Sequence, residues 1–128
     1  MDSEPCKVLV VDEDRDNADT TVMLLALWGH EATAAYSAED AIEKAKTFDP
    51  DVILMDLGRP VDKGFDLANE LRRACPEAKL LAITGFAAGD IVRRTRNAGF
   101  EGVLLKPAPA GRLQDAVDTQ CDSAASDA

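Results

Sequence analysis

The sequence predicts an α/β fold, a parallel sheet with helices on both faces. Three observations lead there. Short apolar runs alternate with amphipathic stretches along the whole chain, giving five strand–helix units. The connections between them are short, which favours right-handed crossovers between parallel strands. The central run, Val52-Ile53-Leu54-Met55, has no polar residue to mark a solvent face, as expected of a strand covered on both sides.

The first strand is Cys6 to Val11, rich in β-branched residues, and Asp12-Glu13-Asp14 follows at once. Asp14 or Asp16 can cap a helix that runs to about Trp28 and stops at Gly29. Ala18, Val22, Leu25 and Ala26 form its apolar stripe, while Met23, Leu24, Leu27 and Trp28 lie partly off it. His30 to Tyr36 reads as a weaker second strand. Ser37 opens a capping box with Asp40, and the helix continues to Phe48. Asp49-Pro50-Asp51 leads into the third strand, which ends on Asp56 before Gly58 and Pro60. Val61 to Gly64 reads as a loop, and a helix is expected from about Phe65 to Ala74 with Phe65, Leu67 or Ala68, and Leu71 inward. Lys79 to Thr84 is the fourth strand, Ala87 to Asn97 a short helix, and Glu101 to Leu105 the fifth strand. The last helix spans about Ala110 to Cys121, burying Leu113, Ala116 and Val117. Residues 1–5 are therefore assigned to an N-terminal extension, 6–121 to one domain and 122–128 to a disordered acidic tail.

At 128 residues, 46% of them hydrophobic, the chain can bury a core within one domain. No apolar run approaches the roughly 20 residues needed to cross a bilayer. The start, Met1-Asp2-Ser3-Glu4-Pro5, lacks the features of a signal peptide, so a cytoplasmic location is expected. A net charge of -10 argues against nucleic-acid binding and suits a divalent-cation site. Cys6, Cys75 and Cys121 are an odd number without metal-ligand spacing, so reduced thiols are expected. His30, the only histidine, lies far in sequence from the acids and reads as structural.

Four strands end on polar side chains: Asp12-Glu13, Asp56, Thr84 and Lys106. A doubly wound sheet can gather such residues at its carboxyl edge, where ligands bind. Converging carboxylates repel, and a hard cation with oxygen ligands relieves them; Mg²⁺ fits that need. A carboxylate beside Mg²⁺ and a lysine can attack a phosphoryl group and form an aspartyl phosphate. Thr84 can donate to a phosphoryl oxygen.

In these residues the sequence resembles the receiver domain of two-component response regulators. The likeness rests on Val10-Val11-Asp12-Glu13, Met55-Asp56-Leu57-Gly58-Arg59-Pro60, Gly64, Ile83-Thr84-Gly85 and Leu105-Lys106-Pro107, and covers about residues 6 to 120. The resemblance implies a flavodoxin-like sheet of order 2-1-3-4-5, for which the chemotaxis response regulator is itself a reference example. It implies Asp56 as phosphoacceptor. Glu13, Asp56 and the Gly58 carbonyl would be metal ligands, with Asp12 acting mainly through water. Thr84 and Lys106 would sense the phosphoryl group, and Lys106-Pro107 would be a cis peptide. It further implies a bacterial phosphorelay, with a histidine kinase or histidine phosphotransfer protein as donor. Met23, Leu24, Leu27 and Trp28 are candidates for docking that donor, against the plainer reading that they pack under loops. Output passes to an unknown downstream protein. Arg93, Arg94 and Arg96 can meet an acidic partner or a second copy, or form a solvated basic face.

The chain departs from the family pattern at Glu13, one methylene longer than the usual aspartate, and at Gly58, where many members carry a side chain. Val103 stands where many place a switching aromatic. Gly85 replaces a common alanine and Ala108 an aromatic, so a switch through the backbone of 85–89 is the expectation. Arg59 either reaches over the site or is solvated. Four other readings compete. A haloacid-dehalogenase-type phosphatase would need an aspartate at position 58, and Gly58 argues against it. Flavodoxin cradles phosphate with hydroxyls and amides, which Asp12-Glu13 would oppose. A receiver-like scaffold without a phosphorylation switch, or the receiver portion of a hybrid histidine kinase, stays open.

Overall fold

The computed structural model describes residues 5–58, 61–85 and 89–126. Among these residues ten elements alternate: β1 (Lys7–Val11), α1 (Arg15–Leu27), β2 (Glu31–Ala35), α2 (Ala38–Phe48), β3 (Val52–Leu57), α3 (Val61–Ala74), β4 (Lys79–Thr84), α4 (Gly89–Asn97), β5 (Gly102–Leu105) and α5 (Ala110–Ser126). The strands form one parallel sheet in the order β2-β1-β3-β4-β5. β3 therefore sits at the centre, which explains its unbroken apolar run.

Successive side chains of a strand point to opposite faces, so the sheet feeds two cores. Leu9, Val11, Ile53, Met55, Leu80 and Ala82 pack on one face with Ala41 and Ala45 of α2 and Ala68 and Leu71 of α3. Val8, Val10, Val52, Leu54 and Leu81 pack on the other with Ala18 and Leu25 of α1 and Leu113 and Val117 of α5. Leu9, Leu25, Ile53 and Leu71 are fully buried. Each such side chain contributes about 1.5–3 kcal/mol by leaving water.

Helix starts follow local chemistry. Asp14 is the N-cap of α1, its side chain accepting from the Asn17 amide at 3.2 Å. Ser37 caps α2, accepting from the Asp40 amide at 3.1 Å, while Asp40 accepts from the Tyr36 amide. Gly29 closes the α1–β2 connection at a φ of 95°, a conformation that favours glycine.

Several elements differ from expectation. β2 is confined to Glu31–Ala35, with His30 and Tyr36 flanking it. β5 begins at Gly102 rather than Glu101, and β3 runs one residue past Asp56. α3 starts at Val61, so the stretch read as a loop is its first turn. Gly64 is not a breaker there: a Cβ at this position would stand 2.5 Å from Leu57 Cδ2, so the glycine lets the helix lie close to the sheet. α4 starts at Gly89; residues 87–88 of the expected helix lie outside the described residues. α5 continues to Ser126, so residues 122–126, expected in the tail, are helical. Ala26, expected in the α1 stripe, is exposed.

The cysteines also depart from expectation. Cys6 and Cys121 are joined as a disulfide with Cα atoms 5.9 Å apart, and Cys75 is the buried free thiol. The fold causes this by seating the last turns of α5 against the start of β1, bringing together residues 115 apart in sequence.

Candidate functional site

The carboxyl ends of β1, β3, β4 and β5 lie side by side. Val11 pairs with Met55 and Leu57 with Thr84, while Thr84 pairs with Leu105. Each next residue is thus delivered to one edge. Lys106 continues the pattern, its amide donating to the Thr84 carbonyl at 2.8 Å. Lys106-Pro107 is a cis peptide.

Lys106 Nζ meets Asp56 Oδ2 at 2.6 Å, with side chains 41% and 18% exposed. Asp12 is buried at 6% exposure. One Asp12 oxygen accepts from the Asp14 amide at 2.9 Å and the other from the Asn17 side-chain amide. Burial raises the Asp12 carboxyl above its usual range. The two donors pull it back, and the negative charge of Asp56 pushes it up again. The site thus holds an excess of negative charge that Lys106 offsets only in part.

Beside this pair opens a cavity of about 370 Å³ whose lining includes Asp12, Glu13, Asp56, Gly58, Tyr36 and Lys63. Its polar groups include carboxylate oxygens, the donor type that suits a hard cation such as Mg²⁺. Glu13 is exposed, and Thr84 is fully buried one strand away. Among the described residues, Asp12, Glu13 and Asp56 are not drawn together as tightly as Cys6, His30 and Cys121, whose ligand atoms lie within 4.8 Å of one another. Arg59 lies outside the described residues, as do residues 86–88 of the segment expected to switch.

Sequence reasoning missed three neighbours. Asn17 reaches back from the first turn of α1 to Asp12, a contact that its place three residues after the cap could have suggested. Lys63 lines the cavity because α3 begins early. Tyr36 lines it too; its hydroxyl donates to Asp19, and the Arg15 guanidinium stacks 4.3 Å from its ring centre.

Away from the cavity, the α1 candidates divide. Met23 and Leu27 are 66% and 80% exposed, whereas Trp28 packs against the α1–α5 core and Leu24 is half-buried. Arg93 and Arg96 are exposed, but Arg94 pairs with Asp62 of α3 at 2.6 Å. Val103 is half-buried on β5.

A parallel sheet of this order, with an acid pair and a lysine at its carboxyl edge, defines the class of flavodoxin-like signalling domains. The model of the response regulator receiver domain matches residues 8–118, and the chain belongs to that family. It is 33% identical over 109 residues to a response regulator receiver protein of Anaeromyxobacter sp. (strain Fw109-5), covering 85% of this chain and 46% of that protein. It is 32% identical over 113 residues to response regulator GacA of Pseudomonas syringae pv. syringae, covering 87% of this chain and 53% of that one. The chain thus spans about half the length of these curated relatives. Among solved structures, a CheY-like receiver domain from Methanospirillum hungatei JF-1 superposes with a TM-score of 0.87 at 23% identity, over 98% of this chain and all of that one. That likeness supports the fold.

Proposed function

We propose that the chain is the phosphoacceptor of a two-component phosphorelay, receiving a phosphoryl group on Asp56 from a phosphohistidine. The observation that carries this reading is the 2.6 Å pair between Asp56 Oδ2 and Lys106 Nζ beside buried Asp12. With one Asp56 oxygen held by Lys106, the other attacks phosphorus as the P–N bond to the donor breaks; the bonding pair stays on that nitrogen, and because the donor ring is protonated at its other nitrogen the imidazole leaves neutral. Lys106 stays against the acyl phosphate and offsets its charge. Thr84, one strand over, donates its hydroxyl to a phosphoryl oxygen.

The oxygen donors along the cavity fit Mg²⁺. Glu13, Asp56 and the Gly58 carbonyl would hold it, with Asp12 acting mainly through water. When bound it neutralises the phosphoryl oxygens and the acid cluster. The longer Glu13 side chain is exposed, so it has room to fold back by one methylene.

The donor is a histidine kinase or phosphotransfer protein that docks on α1. Of the four α1 candidates, exposed Met23 and Leu27 are the contacts; Leu24 is half-buried and Trp28 packs against the core. Output is by contact with a downstream protein rather than with nucleic acid, consistent with the net charge of -10. The cytoplasmic location expected from the sequence goes with this reading; among the described residues no helix is long and apolar enough to cross a membrane.

Transfer of labelled phosphate from a phosphorylated histidine phosphotransfer domain tests the reading. Label should move to the chain only with Mg²⁺, and not to Asp56→Asn. Transfer to Asp56→Asn, or equal transfer in a chelator, would overturn it.

A further inference from the structure

At the opposite edge of the sheet from Asp56 lies a second cluster that the phosphorelay reading leaves unused. Cys6 precedes β1, His30 precedes β2, and Cys121 belongs to the last turns of α5. All three are buried, at 9%, 6% and 1% exposure. Their ligand atoms, two Sγ and one imidazole nitrogen, lie within 4.8 Å of one another.

The histidine is held in a defined tautomer. The Cys6 backbone N–H, which can only donate, meets His30 Nδ1 at 3.2 Å. Nδ1 is therefore the acceptor and Nε2 carries the proton. That Nε2–H donates to Asp118 Oδ1 at 2.9 Å. Nδ1, its lone pair taken up by the Cys6 amide, lies beside the sulfurs, with Cys121 Sγ at 4.0 Å. A carboxylate on the far nitrogen is the partner that metal-binding histidines commonly have, and the near nitrogen has only to exchange the Cys6 amide for a metal held by the two cysteines. Asp118 stands one helical turn before Cys121, so α5 supplies both a ligand and its support.

We propose that Cys6, Cys121 and His30 Nδ1 form a Zn²⁺ site in the dithiol state of the protein, supported by Asp118 and closed by the Cys6–Cys121 disulfide. Two thiolates and an imidazole are soft and borderline donors, which select Zn²⁺ over Mg²⁺. The fourth position is water, admitted from a cavity of about 670 Å³ lined in part by Pro5, Lys7, Gly29 and Glu31. Opening the site needs a dithiol reductant. It donates two electrons and two protons, the Cys6–Cys121 bond breaks to two thiols, and the reductant leaves as its own disulfide. Zn²⁺ then displaces both thiol protons to solvent. The Cys6 amide gives up its bond to Nδ1, a small loss beside a metal–nitrogen bond. Disulfide and zinc are thus two alternative fastenings of α5 to the starts of β1 and β2. In a reducing compartment the dithiol state is the one expected.

The test is an anaerobic Co²⁺ titration of the reduced full chain, followed by Zn²⁺ displacement. Expected, in excess Mg²⁺ that keeps Co²⁺ from the acid cluster, is one Co²⁺ per chain with thiolate-to-cobalt charge-transfer absorption, retained in Asp56→Asn. The absorption should be missing from the oxidised chain and from Cys121→Ser. Asp118→Asn, at a partly exposed position, should weaken binding by roughly 10- to 100-fold while folding normally by circular dichroism. It decides the matter if Cys121→Ser does not fold. Absence of thiolate–cobalt absorption in reduced, folded wild type would overturn the proposal. So would its survival in Cys121→Ser, or unchanged affinity in Asp118→Asn.

Discussion

Removing Lys106 should hurt the folded protein more than removing Asp56, although the two form one ion pair. At 2.6 Å their gross attraction is about 6 kcal/mol with an effective dielectric constant of 20. Both side chains reach water, at 41% and 18% exposure, so the net value falls to about 1 kcal/mol or less. The two deletions are not equivalent because buried Asp12 faces the same site. Lys106→Met leaves Asp12 and Asp56 repelling each other without a cation. Asp56→Asn removes that repulsion together with the attraction. In a chelator at neutral pH, Lys106→Met should lose about 1 kcal/mol, or about 4 °C in Tm for a chain of this size. Asp56→Asn should be neutral or slightly stabilising, and the double variant should resemble Asp56→Asn. Urea unfolding of the four proteins gives the coupling directly. Saturating Mg²⁺ should raise the stability of Lys106→Met, by about 2.7 kcal/mol at a hundred times its dissociation constant. If Asp56→Asn proves the more damaging change, the pair is a structural tie and the account of a charge-strained site is wrong.

Other predictions concern neighbouring residues. Asp12 has a folded-state carboxyl raised by burial, so the stability linked to its proton is present at low pH and lost as pH rises through that raised value. Asp12→Asn in a chelator should therefore melt above wild type at pH 7 and level with it below the ordinary carboxylate range, as scanning calorimetry would show. Gly64→Ala places a Cβ against buried Leu57 and should cost about 1–3 kcal/mol in urea unfolding while slowing phosphorylation, since Leu57 adjoins Asp56. Ser37→Ala removes the α2 cap and should cost about 1 kcal/mol without changing the rate of labelling from a small phosphodonor.

The strands were legible because a covered sheet demands continuous apolar runs, and Val52 to Met55 is such a run, too short for a helix and bounded by Pro50 and Gly58. Asp12, Asp56 and Lys106 were legible as neighbours because each follows or ends such a run in a parallel sheet. The Ser37–Asp40 box was local and therefore visible. What failed was non-local. Val61 to Gly64 looks like a loop until Gly64 is seen against Leu57, a tertiary contact. Cys6 and Cys121 look unrelated because 115 residues separate them, and only the seating of α5 on β1 unites them with His30. Trp28 reads equally as a docking residue or as one packed under loops, because a helical stripe does not reveal that it lies against the core shared by α1 and α5.

The central claim is that Asp56 accepts a phosphoryl group with Mg²⁺. Intact-mass measurement after incubation with Mg²⁺ and a small acyl phosphate tests it most directly, with Asp56→Asn alongside. One added phosphoryl group is expected on the wild type, lost on adding a chelator beforehand and absent from the variant. Modification that persists in Asp56→Asn, or none on a folded wild type while a control receiver is labelled, would contradict it.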